Sequence, residues 1–356
     1  MMYSRTTAAF HSTRNSEMQR PISYGLPPCS TVIQCILEQA RLAPNNPSVR
    51  ILHAEREDSR MTYADLIQNA THFAHFFKVQ GVGKGEVVIL ILNHGAELIY
   101  AFVGALLIGA VPSIFAFPSA KVPADVYWKT MTRLLKVSEA HFLLTDSELA
   151  NRLEGESMMN RSTRILRTDQ VQRHSDSPED IFCIPDPSDI VLLQHSSGTT
   201  GLKKGVALSH ESILNQIRHY AEALALDESD RIASWLPLYH DMGLVACLIL
   251  PLVCGIPVTL MSPFDWVANP ILFFRTIHED RATLSWLPNF AYHFLASKIQ
   301  ESQMKGIDLS SVRAFINCAE PISASSHELF FTRFKKNGLS KKHFPRVMQW
   351  QKIRLR

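Results

Sequence analysis

The stretch Ile190-Val-Leu-Leu-Gln-His-Ser-Ser-Gly-Thr-Thr-Gly-Leu-Lys-Lys-Gly-Val-Ala-Leu-Ser-His210 joins two apolar runs through a loop of hydroxyls and glycines that ends in two lysines. A short apolar run bounded by turn residues reads as a buried strand. A flexible surface turn is the ordinary fate of a Ser-Gly-Thr string, but a turn does not require so long a connection. Glycines let the main chain approach oxygen atoms closely, Ser and Thr add donors, and a lysine adds a point charge. Together they suit a polyphosphate. The order differs from Gly-x-x-x-x-Gly-Lys-Ser/Thr, so the nucleotidase type of phosphate loop is not supported.

Outward from this segment, helix followed by strand is the recurring unit. Thr31 to Leu42 carries apolar residues at helical spacing (Val32, Ile36, Leu37, Ala40), ended by Pro44 and Pro47, and Ser48 to His53 follows as a strand. Thr62 is the expected N-cap of a helix reaching Phe77, and Gly81, Gly83 and Gly85 break the chain before the apolar run Val87 to Leu92. Helix Glu97 to Ile108 with strand Val111 to Phe115, then helix Trp128 to Val137 with strand His141 to Thr145, continue the pattern. The expected fold class is α/β with largely parallel strands. The polar stretch Asp146 to Pro187 reads as a boundary or surface excursion, which divides the chain into one unit over 30–186 and a second over 187–345. Residues 1–29 form a lead-in. Met1 to Tyr24 holds Arg5, Arg14 and Arg20 among many Ser and Thr, a composition expected of a disordered lead-in or an over-extended start, with a transit peptide as the alternative.

The chain has 356 residues, 46% hydrophobic and 19% charged, which is enough apolar material for one large core or two smaller ones. A formal charge of +3 without a long basic run gives no nucleic-acid or membrane-surface stripe. Cys29, Cys35, Cys183, Cys247, Cys254 and Cys318 are scattered with no Cys-x-x-Cys, arguing against a disulfide framework or zinc site and for a reducing cytoplasm. Leu98 to Ser119 and Leu244 to Phe264 are uncharged over about the length that spans a bilayer. Gly109 and Pro112 interrupt the first, and Pro251, Gly255 and Pro257 the second, so both are expected as buried helix and strand pieces, with no integral membrane span.

Three further segments carry chemistry. Ser234-Trp-Leu-Pro-Leu-Tyr-His-Asp-Met-Gly-Leu244 ends an apolar strand in an imidazole-bearing turn, where His240 by itself would more often be a satisfied structural histidine. Ser285-Trp-Leu-Pro-Asn-Phe-Ala-Tyr292 is, as bare sequence, a turn before an apolar helix. Val312-Arg-Ala-Phe-Ile-Asn-Cys-Ala-Glu-Pro-Ile-Ser323 is a strand ending in a tight polar turn. With Ser196-Ser197-Gly198-Thr199-Thr200-Gly201 and Lys204-Gly205, these four segments resemble, in order, the motifs of the AMP-binding superfamily of acyl- and aryl-CoA synthetases, luciferases and adenylation domains. Leu-Pro-Leu-Tyr-His-Asp-Met-Gly-Leu and Pro-Asn-Phe-Ala-Tyr are especially similar to fatty acyl-AMP ligases. Two departures are Lys203 where the family has Pro, and Cys318 where it has Gly.

The resemblance, over about Ser30 to Phe344, implies the N-terminal part of the family's large domain, two stacked α/β subdomains, without the small C-terminal domain. It implies ATP and Mg2+ as cofactors and a fatty carboxylate attacking the α-phosphorus, giving acyl-adenylate and pyrophosphate. Ser196, Ser197, Gly198, Thr199, Thr200, Gly201 and Lys204 then cradle phosphates, with Thr200 on the metal, and Ala319 and Glu320 meet adenine. His240 borders the reacting carboxylate, and Trp235, Tyr239, Asn289, Phe290 and Tyr292 line the acyl site, with His240 and Lys204 as the catalytic pair. The acceptor of the intact enzyme is an acyl carrier protein or CoA. The family continues with a Tyr-x-x-x-Glu motif and a C-terminal domain, whereas this chain reads Val347-Met-Gln-Trp-Gln-Lys-Ile-Arg-Leu-Arg356. An allowed coding of Val347 to Ile353, GTT ATG CAA TGG CAG AAA ATA, gives Tyr-Ala-Met-Ala-Glu-Asn from its third nucleotide. The expectation is a frameshifted tail over 346–356 and an inactive, truncated ligase. The rival expectations are an acyl-CoA synthetase completed by a separate chain and a non-catalytic nucleotide- or lipid-binding module.

Overall fold

Helix caps and apolar runs translate directly into elements. The computed structural model describes residues 29–54, 56–119, 122–155, 163–173, 181–196, 204–318 and 323–340. Helix α1 (Val32–Leu42) starts where the Thr31 hydroxyl accepts the Gln34 N–H, relieving one of the donors a helix start leaves unpaired. Strands β1 (Pro47–Leu52) and β2 (Ser59–Thr62) pair antiparallel, and α2 (Tyr63–Val79) follows at once. Its start is a complete capping box: the Thr62 hydroxyl accepts the Asp65 N–H at 3.1 Å, and Asp65 Oδ2 accepts the Thr62 N–H at 2.9 Å.

Strands β3 (Val87–Ile91), β4 (Val111–Ile114), β5 (Phe142–Thr145) and β6 (Arg164–Arg167) form a parallel sheet in the order β4-β3-β5-β6, linked by α3 (Ala96–Leu107), α4 (Ala124–Ser138) and α5 (Ser147–Gly155). Alternation along β3 sends side chains to both faces: Val88 and Leu90 join the large core with α2 and α3, while Ile89 and Ile91 join a smaller core with α4 and α5. The polar stretch read as a boundary or excursion therefore contains α5 and an edge strand of this sheet. The signal is weak because β6 offers only Ile165 and Leu166 between two arginines.

Next come the antiparallel hairpin β7 (Ile190–Ser196) and β8 (Lys204–Ser209) and helix α6 (His210–Leu224). The last sheet uses β9 (Ile232–Ser234), β10 (Val258–Met261), β11 (Leu284–Pro288) and β12 (Ala314–Cys318) together with β1 and β2, ordered β12-β11-β9-β10-β1-β2. All its pairs are parallel except β1 with β2. The split between sheets thus does not fall at residue 187, since β1 and β2 lie with strands from the far half of the chain. Between β9 and β10 runs a wide helix, Met242–Ile249, whose bonds reach five residues back, continued by α7 (Leu250–Cys254). Then α8 (Pro263–Ala268), α9 (Ile271–Asp280), α10 (Asn289–Lys298) and α11 (Ala324–Phe334) complete the described elements.

The two uncharged stretches resolve into helix and strand pieces, α3 with β4 and the 242–254 helices with β10. Among the described residues no helix is long and apolar enough to cross a membrane.

Candidate active site

The hairpin ladder runs from Ile190 opposite Ser209 to Ser196 opposite Lys204, so Ser196 and Lys204 are the pair from which the glycine and hydroxyl loop springs. Ser197, Gly198, Thr199, Thr200 and Gly201 lie outside the described residues, as do Ala319, Glu320 and the tail 346–356. The hairpin itself is held from both ends. The Ser113 hydroxyl, from β4, donates to the Leu193 carbonyl at 2.7 Å and lies 3.1 Å from His195 Nδ1, and the Phe115 ring packs on His195 with centroids 4.7 Å apart. At the other end Lys84 Nζ meets Asp189 at 2.8 Å, and the same contact holds the Asp189 carboxyl below its usual range.

His210, the first residue of α6, is buried and accepts the Val32 N–H on Nδ1 at 3.1 Å. Burial pushes its pKa from 6.5 down to about 4, against the pull of Asp189 and in line with Lys84. The unfolded chain therefore takes a proton here that the folded chain refuses. The sign is acid-destabilising: the contribution is complete above pH 6.5 and is lost as pH falls toward about 4. Urea melts across that window are expected to show up to one proton's worth of slope from this ring, and a His210→Gln variant to remove that share; an unchanged slope in the variant would count against the assignment.

The second component is the turn after β9. The Ser234 hydroxyl accepts the Leu236 N–H at 3.1 Å, the His240 N–H donates to the Pro237 carbonyl at 3.1 Å, and the Leu244 N–H donates to the His240 carbonyl at 2.8 Å. The chain doubles back tightly enough that a Cβ on Gly243 would stand 2.3 Å from the Pro237 oxygen. His240 is left exposed at the mouth of the wide helix, its ring 5.0 Å from that of Tyr239. Gln194 Nε2, from β7, donates to the Tyr239 carbonyl at 2.8 Å. That bond fastens the loop-bearing hairpin to the imidazole-bearing turn.

The third component is aromatic. Trp235 and Trp266 stack face to face, centroids 3.6 Å apart and planes 4° from parallel, and Phe290 presents a T-shaped contact to both at 5.9 and 6.3 Å. These rings follow the C-terminal ends of the adjacent strands β9, β10 and β11, where open parallel sheets place their ligands. Tyr292 does not join them. It is fully buried on the opposite side of α10, its ring 4.3 Å from His327 and 5.2 Å from Phe330 of α11. Asn289 is also engaged internally, since its Oδ1 accepts the Ser323 N–H at 3.0 Å and joins the end of β11 to the start of α11. Sequence reasoning missed Ser113, Gln194 and Trp266. Gln194 stands inside the opening stretch, but its residue type gives no hint of the bond it makes, and nothing near Trp266 marks it.

Known proteins bear on this geometry. The AMP-binding enzyme family profile matches residues 36–341. A medium-chain-fatty-acid acyl-carrier-protein ligase, JamA of Moorena producens, is 30% identical over 292 residues, covering 80% of this chain and 48% of that protein. A long-chain-fatty-acid AMP ligase, FadD32 of Mycolicibacterium smegmatis, is 30% identical over 272 residues, covering 72% of this chain and 41% of its own length. The crystal structure of a fatty acyl-adenylate ligase from L. pneumophila, in complex with acyl adenylate and pyrophosphate, superposes with a TM-score of 0.81 at 28% identity, covering 89% of this chain and 54% of that one. The chain spans about half the length of the curated relatives it matches. With the hairpin, the His240 turn and the parallel sheets arranged as described, this chain belongs to the AMP-binding enzyme family.

Proposed function

We propose that this chain forms the ATP- and acyl-binding part of an enzyme that activates a fatty acid by adenylation, with acyl-AMP and pyrophosphate as products. The observation that carries the reading is the Gln194 to Tyr239 bond of 2.8 Å, which holds the root of the loop beside the His240 turn. A leaving pyrophosphate and an incoming carboxylate are both anionic, so the task is to neutralise one while holding the other in line. Loop N–H groups, the hydroxyls of Ser196, Ser197, Thr199 and Thr200, and the Lys204 ammonium supply the neutralisation. His240 borders the carboxylate, Ala319 and Glu320 meet adenine, and Trp235, Tyr239 and Phe290 contact the acyl chain. Asn289 and Tyr292 act behind them, by holding α10 against α11.

Among the described residues no group of three or more His, Cys, Asp or Glu side chains could hold a metal. Mg2+ is read as arriving on the ATP phosphates, to which it commonly stays bound while keeping several waters, with the Thr200 hydroxyl as this chain's ligand. The acceptor proposed for the whole enzyme is a carrier protein, as in the name of the JamA relative, with CoA as the competing acceptor. Supplying both to the enzyme and identifying the thioester formed by mass spectrometry separates them.

Calorimetric titration of this chain with Mg·ATP tests the reading. Lys204→Ala is expected to weaken ATP binding roughly tenfold to a hundredfold, the worth of one charge-assisted phosphate contact. Equal affinity in the two proteins would remove the loop from the nucleotide site.

A further inference from the structure

The aromatic group at the ends of β9, β10 and β11 extends beyond the residues assigned to acyl contact. Its exposure is graded: Phe290 is 49% exposed, Trp235 5% and Trp266 0%. A ligand entering beside Phe290 therefore meets a floor already closed by the Trp235 and Trp266 stack. At 3.6 Å between centroids and 4° between planes the two rings are in van der Waals contact over their whole faces, with no gap into which a further methylene could slide. Trp266 is in turn backed by Phe294, centroids 4.9 Å apart, so the wall is two aromatic layers deep. Both indole Nε1 atoms are buried without a hydrogen-bond partner, so no polar anchor opposes repacking of the pair.

We propose that Trp266 is a specificity-determining residue that sets the length of straight acyl chain the site accepts. The inference rests on the adenylation reading of the site and refines its substrate. A saturated chain gains affinity by burying methylenes, each worth roughly fourfold in binding, until its end meets a wall. Beyond that length the gain stops. Shortening Trp266 moves the wall back into the volume the indole occupied.

The test is equilibrium binding of the saturated series from hexanoate to octadecanoate to this chain, with Trp266→Leu and Trp266→Phe as variants and Trp286→Phe as control. Trp286 is equally buried, in β11, and packs on Tyr220 away from the stack. Wild type and the control are expected to level off at the same chain length. In Trp266→Leu an acid two methylenes longer than that point should gain roughly tenfold or more. Should Trp266→Leu fail to fold, Trp266→Phe, which keeps an aromatic layer, carries the same comparison with a smaller shift. A profile identical in wild type and the Trp266 variants overturns the inference and leaves the adenylation reading standing. Absence of saturable binding of any acid by the folded wild-type chain overturns both.

Discussion

Replacing Asp230 by alanine is expected to destabilise the fold by about 3 kcal/mol, near the low end of the cost of removing one partner from a buried ion pair. The carboxylate is 1% exposed and collects three parts of the chain. Arg313 Nη2 reaches Oδ2 at 2.6 Å, the Thr283 hydroxyl donates to Oδ1 at 2.6 Å, and the Asp227 N–H donates to Oδ2 at 3.0 Å. Arg313 also donates to the Leu224 carbonyl at the end of α6. One side chain therefore fixes the starting points of β9, β11 and β12, which are neighbours in the sheet. Alanine leaves a guanidinium without its counter-charge and the Thr283 hydroxyl with only the Arg231 carbonyl, at 3.3 Å. Arg313 keeps some access to water, which is why the lower end applies. Urea unfolding of Asp230→Ala beside Asp230→Asn measures this. A loss under about 1 kcal/mol, the worth of an exposed pair, would show that the cluster contributes little.

Gly243→Ala is the second large effect. The added methyl would sit 2.3 Å from the Pro237 oxygen, 2.9 Å from the Pro237 carbonyl carbon and 3.1 Å from the Leu236 oxygen. All three are backbone atoms, so no side chain can swing aside, and either the turn or the wide helix must shift. Overpacking of this kind costs roughly 1–3 kcal/mol. The displacement falls on the turn that presents His240, so fatty acid binding should drop more than tenfold while ATP binding changes less. A variant that binds both ligands like the wild type would show that the tight turn is not needed to place the imidazole.

The helices and the inner strands were legible because their signals are local. Thr62 with Asp65, or the run Val87 to Leu92, needs no knowledge of the rest of the chain. Sheet membership was not legible, since β1 pairs with β10 more than two hundred residues away and its few apolar residues suit any parallel neighbour. For the site, the motif order pointed to the hairpin and the His240 turn. It did not distinguish Phe290 from Tyr292. Two positions apart on one helix, they point in different directions, one to the exposed aromatic group and the other into the core against α11. Trp266 escaped for the opposite reason: its significance comes from a ring-on-ring contact with Trp235, which leaves no mark in the sequence of either.

His195 of the hairpin and His210 at the start of α6 each tie the hairpin to another part of the chain. Ser113 has a single hydroxyl hydrogen, and the Leu193 carbonyl at 2.7 Å claims it. The 3.1 Å contact with His195 Nδ1 is then satisfied by an imidazole that carries its hydrogen on that atom. The Nδ1 of His210 already accepts from Val32, and a second proton would land on the very lone pair that makes the bond. The hinge end, where α1 meets α6, is thus undone by acid. On acidification the contact between α1 and α6 at the base of the hairpin should loosen.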